Sequence, residues 1–151
     1  MDYIYLKKSL VEYCKNRLEI KFNELTVIYQ SLIDSIQTDS KSSAGDKHET
    51  FKSMMHIEQE KMQTQIKMIN QQINTLNQLK IEKKKRIENG TLIITDTKIF
   101  FIAASLGLVS ISDQSFFIVS LDSPIIQFMK KQSINTAFTF QSSNYKIIDI
   151  Q

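Results

Sequence analysis

The sequence predicts an α+β protein: a long antiparallel α-helical coiled-coil hairpin over residues 1–88, then a small antiparallel β-sheet with one short helix over 89–151. Three observations carry this. There are only three Gly and one Pro in 151 residues, so long unbroken elements are expected. The apolar residues are spaced by threes and fours in the first half and shift to short strand-like runs in the second. In the first ninety residues, "SSAGDKHET" at 42–50 is nearly the only stretch that reads as a turn.

Residues 3–38 hold no Gly or Pro. Val11, Cys14, Leu18, Phe22, Leu25, Tyr29, Leu32 and Ile36 recur at spacings of three and four, a narrow stripe along one helix face. Residues 48–86 repeat the pattern with Phe51, Met55, Met62, Ile66, Ile69, Ile73, Leu76 and Leu79, interrupted at Glu58. Neither stripe can be buried by its own helix, and a short polar turn lets the two pair back to back. Gly90 is expected to end the second helix. Strand-like runs follow at Leu92–Thr95, Ile99–Ala103, Leu108–Ile111 and Phe116–Val119. "SPIIQFMKK" reads as a helix with Ser123 as N-cap and Pro124 at the first helical position. Two more strands are expected near Thr136–Phe140 and Tyr145–Ile150. About 60 residues make a marginal core, so packing against the base of the hairpin is expected to help. The doublets Phe100-Phe101 and Phe116-Phe117 send rings to both faces of the sheet.

The charge balance excludes little. Lys and Arg exceed Asp and Glu by three, and the excess falls in residues 1–90, too weak a bias to imply nucleic-acid binding by itself. Its densest part is "KIEKKKR", with Lys80, Lys83, Lys84, Lys85 and Arg86. That run reads as a solvated helix end whose cations suit the dipole, or as a salt-sensitive contact to RNA or an acidic surface. Cys14 is the sole cysteine, so no internal disulfide can form, and it reads as a small apolar helix residue. No continuous apolar leader and no bilayer-length apolar run is present, which points to a cytoplasmic protein. His48 and His56 lie eight apart without a cysteine nearby, a poor zinc pattern. No nucleophile triad, phosphate loop or cofactor fingerprint is found.

Asp46 and Glu49 stand three apart at the start of the second helix. As a capping box, Asp46 would cap and Glu49 would close back on it. The same spacing can aim two carboxylates past the end of the hairpin, where oxygen ligands suit Mg²⁺. Two carboxylates make an incomplete site, so another macromolecule would have to supply the rest.

These residues resemble the bacterial transcript cleavage factors, the GreA/GreB family, in a short Gre-like variant. The family's tip motif Gly-Asp-x-x-Glu is matched by Gly45-Asp46-Lys47-His48-Glu49. Its Ser-Pro-Ile segment and two closing strands are matched by "LDSPIIQFMKK", "TAFTF" and "YKIIDI". The resemblance implies an FKBP-like C-terminal domain. It also implies a monomeric elongation factor for bacterial RNA polymerase whose coiled coil enters the secondary channel and approaches the nascent RNA. Asp46 and Glu49 would help hold a catalytic Mg²⁺ of the polymerase, which then cleaves backtracked RNA. Asp122, Ser123 and Pro124 match the loop implicated in docking. The chain would be no enzyme on its own and would carry no cofactor of its own. Two other readings are a channel-binding regulator without cleavage activity and a structural coiled-coil adaptor. An FKBP-type prolyl isomerase is disfavoured, since the chain has no Trp.

Overall fold

The computed structural model describes residues 2–39 and 45–151, without the side chains of Asp39 and Asp46. The fold is α+β, with two long helices, a six-stranded sheet and one short helix. It divides into two compact units, residues 16–74 and residues 1–15 together with 75–151.

The first unit is built from two helices. Helix α1 spans Tyr3–Asp39 and α2 spans Gly45–Asn77, about 55 Å and 50 Å at 1.5 Å per residue. Leu18, Met62 and Ile69 are buried between them, and Phe22, Leu25, Tyr29, Leu32, Ile36, Met55, Ile66 and Ile73 are half-buried. The predicted stripe is therefore the seam from Leu18 to Ile36 and from Met55 to Ile73, whereas Phe51 is exposed. Its interruption at Glu58 is real: Glu58 is exposed and pairs with Lys61 at 3.9 Å. The next residue, Gln59, is half-buried and donates to the Tyr29 hydroxyl at 3.3 Å, and Gln63 donates to the same oxygen. A polar layer thus crosses an otherwise apolar seam and favours one helix register over its neighbours.

The second unit holds the start of α1, the end of α2 and the sheet. Asp2 caps α1, its carboxylate accepting from the N–H groups of Ile4 at 3.0 Å and Tyr5 at 3.2 Å. Helix α2 stops at Asn77, well short of residue 86, and has no basic residue in its last turn. The expectation of a dipole-stabilised basic helix end is overturned, because Lys80–Arg86 run through irregular chain. Gly90 does not end a helix. It takes φ of +88° in the turn into the sheet, where an added Cβ would overlap the Leu79 side chain.

The strands are β1 (Leu92–Thr95), β2 (Ile99–Ile102), β3 (Gly107–Ile111), β4 (Gln114–Val119), β5 (Ala137–Phe140) and β6 (Ser143–Ile150), with α3 at Pro124–Met129 before β5. Their order is β3-β4-β2-β1-β6-β5. The sheet is mixed and not purely antiparallel as expected, because β2 and β4 run parallel. After β2 the chain passes over one strand position before the β3–β4 hairpin turns back into the gap. Ala103 and Leu106 of that passage donate to Val119 and Ile118 of β4. The β3–β4 and β5–β6 turns each hold two non-glycine residues at positive φ, Ser112-Asp113 and Gln141-Ser142. Left-handed pairs of this kind match strand twist and fix hairpin register.

Both sheet faces are covered. Ile93, Phe100 and Phe117 are register partners across three strands, and Ile93 and Phe100 pack with Ile126 and Met129 of α3 and with Phe138, Tyr145 and Ile147. On the opposite face Leu92, Phe101 and Ile118 form the next row, each fully buried. The first turns of α1 reach this side, where Tyr5, Leu6 and Ser9 line a cavity of about 230 Å³ with Ile111 and Phe116. The second aromatic face thus belongs to the chain's own core.

Lys7 is the unexpected member of this unit. It is fully buried, and its ammonium donates to the Glu82 carbonyl at 2.7 Å, tying the irregular segment after α2 to α1. Burial, reinforced by the like charge of Lys84, lowers its pKa from 10.5 to about 8. The unfolded chain therefore holds a proton that the folded chain has released between these values, so stability rises with pH across that window. Lys7→Met is expected to remove this rise and to leave stability at pH 7 unchanged or about 1 kcal/mol higher. Denaturant titrations of both proteins from pH 7 to 11 read the difference.

Candidate functional site

The hairpin ends where α1 stops and α2 begins. Residues 40–44, including Lys41 and the first three residues of the predicted turn, lie outside the described residues, and the rest of that stretch, 45–50, is helical instead of a turn. Helix α2 begins at Gly45, so Asp46 and Glu49 are its second and fifth residues. Asp46 has helical backbone and is not the N-cap, since a cap residue stands outside the helical dihedrals. The capping-box reading is thereby displaced, and the side chain of Asp46 lies outside the described residues.

What remains is the i, i+3 relation, which places the two residues on one side of the first turns of α2. Glu49 is exposed and makes no ion pair among the described residues. Lys47 is exposed beside it, His48 is half-buried and Phe51 is exposed. His56 instead meets Gln59 at 3.2 Å. Among the described residues no three His, Cys, Asp or Glu side chains gather into a metal-binding group. Of the two, only the Glu49 side chain is described, an exposed carboxylate of the oxygen-ligand type that Mg²⁺ takes.

Asp122 and Pro124 are exposed and Ser123 is half-buried at the start of α3. Ser123 occupies the N-cap with extended dihedrals (φ −61°, ψ 141°), and its carbonyl accepts from Gln127 at 3.0 Å. Its hydroxyl makes no cap hydrogen bond and is buried without a partner among the described residues. Ser123→Ala, which would cost about 1 kcal/mol at a working cap, is therefore expected to be neutral or slightly stabilising in thermal unfolding.

The basic run is less uniform than its sequence. Lys84 is largely buried between Glu82 and Glu88, at 2.9 Å from each. Its hydrogen bond to Glu82 raises its own pKa and lowers that of Glu82. Lys80, Lys83, Lys85 and Arg86 stay exposed, so four cations remain for a partner. Cys14 is buried, and burial pushes its thiol up to about 12, which leaves it a poor nucleophile.

One feature of the sheet escaped the sequence reading. A cleft of about 300 Å³ beside α3 is lined by Lys98, Phe100, Phe117, Phe140 and Tyr145 with Ile125 at one wall. These residues come from the β1–β2 turn, four strands and a helix, so no local spacing announces them.

No family model, curated protein or solved structure matches the chain. No helix among the described residues is long and apolar enough to cross a membrane.

Proposed function

We propose that the chain is a Gre-like factor of bacterial RNA polymerase with an FKBP-like C-terminal domain. Its helical hairpin enters the secondary channel and promotes cleavage of backtracked RNA. The observation that carries this is an exposed Glu49 that makes no ion pair among the described residues, in the first turns of α2, three residues after Asp46, at the end of a hairpin. A mere helix-initiating pair would have no need of so long a support.

The work of this chain is delivery and orientation. The buried seam and its Tyr29–Gln59–Gln63 layer hold the hairpin in one register, which keeps the two carboxylates in place. Asp46 and Glu49 would hold Mg²⁺ together with ligands of the polymerase, and Mg²⁺ supplies charge stabilisation for phosphodiester hydrolysis. Asp122, Ser123 and Pro124 would dock the sheet domain on the polymerase. Lys80, Lys83, Lys85 and Arg86 would add salt-sensitive attraction to RNA or an acidic surface.

A channel-binding regulator without cleavage activity is the second reading. It is favoured by Lys47 beside the carboxylates and by Thr50-Phe51-Lys52-Ser53, where the family usually has Asn-Ala-Glu-Tyr. Both readings require binding to core polymerase. Sedimentation at low salt should show one chain per core enzyme, with affinity falling as salt rises. A chain that stays free of polymerase and self-associates would instead be a coiled-coil adaptor.

A further inference from the structure

The cleft beside α3 has a chemistry of its own, independent of the polymerase reading. Its walls are the rings of Phe100, Phe117, Phe140 and Tyr145, and Phe100 and Phe117 lie 5.5 Å apart between centroids. Lys98 supplies the cation. Its Nζ stands 4.8 Å from the Phe117 centroid and 5.4 Å from that of Tyr145, and donates to the Tyr145 hydroxyl at 3.3 Å. Lys98 makes no ion pair among the described residues. An ammonium has three N–H donors, so two remain beside an apolar wall, where a charged hydrogen bond is strengthened. The volume lies at the small end of ligand sites, enough for one ring or branched alkyl group.

We propose that this cleft binds a small amphipathic carboxylate, with its ring or branched body against Phe100, Phe117 and Phe140 and its carboxylate on the Lys98 ammonium. A single cation matches a single negative charge, and the aromatic walls match an apolar body, with Gln141 and Ser143 as the other polar lining residues. The site would make the sheet domain responsive to a free metabolite of this class.

Phenylacetate and its uncharged isostere phenylacetamide are the probes, titrated into the isotope-labelled full chain and followed by NMR. Phenylacetate should give saturable shifts at Lys98, Phe100, Phe140 and Tyr145, with phenylacetamide about tenfold weaker, the loss expected for one charged hydrogen bond. Lys98→Met should lower phenylacetate to the level of the amide, whereas Lys98→Arg should hold affinity within about threefold. The Arg variant preserves the cation, so it keeps the test informative even where Lys98→Met does not fold. Equal affinity for acid and amide, shifts confined to other residues, or tight binding only of an acidic peptide such as N-acetyl-Phe-Asp-amide would overturn the proposal.

Discussion

Replacing Asp46 by Asn and Glu49 by Gln together is expected to lower stimulated RNA cleavage by about a hundredfold or more, the scale of losing electrostatic stabilisation at a phosphoryl centre. Binding to polymerase should change little, because the docking loop and the basic residues are untouched. The two changes keep size and helix propensity close to the original while removing both negative charges. Circular dichroism should therefore be unaltered, and the loss should fall on the rate and not on occupancy. Single changes separate the metal-ligand reading from simple helix initiation. Loss of an N-terminal charge costs a helix a few tenths of a kcal/mol, which could not produce a hundredfold fall. If the double variant cleaved at the wild-type rate, the carboxylates would be structural and the cleavage mechanism would go with them.

The largest effect on stability is expected at Phe101. It is fully buried in the row with Leu92 and Ile118 on the sheet face opposite α3. Phe101→Ala should cost about 3–5 kcal/mol, from lost burial and the cavity left behind. A sheet domain of this size has few kcal/mol to spare, so the variant should melt far below the wild type or fail to fold. Phe101→Leu should cost much less, because it keeps most of the volume. A fall of less than 1 kcal/mol for the Ala variant would mean that this face is not the core described here. Helix content should be watched as well, since Leu10, Val11, Cys14 and Leu76 belong to the same unit and are buried too.

Much of the architecture was legible because its signals are local. The three-four spacing from Leu18 to Ile36 and from Met55 to Ile73 marks the seam. Ser123-Pro124 marks the start of α3, and the strand runs match β1 to β6 within two residues. Long-range features were not legible. The parallel pairing of β2 with β4 depends on where a short connection drops the next hairpin, and no periodicity encodes that. The end of α2 was misplaced because "LKIEKKKR" has high helix propensity. A tertiary tie opposes it, Lys7 drawing the Glu82 carbonyl. Lys7 did leave a trace: extending the spacing four residues back from Val11 lands on it, an ionisable residue in an apolar stripe. The site divides the same way. Glu49 is exposed in the first turns of α2, and the cap assigned to Asp46 gives way because α2 already includes Gly45. The aromatic cleft needs four strands folded before it exists at all.

The most direct measurement is the length of radiolabelled RNA in a halted, backtracked elongation complex after the wild-type chain and Mg²⁺ are added. The account predicts shortened transcripts that keep their 5′ ends and resume extension when nucleotides return. Transcripts of unchanged length, in a complex to which the chain is demonstrably bound, would contradict it.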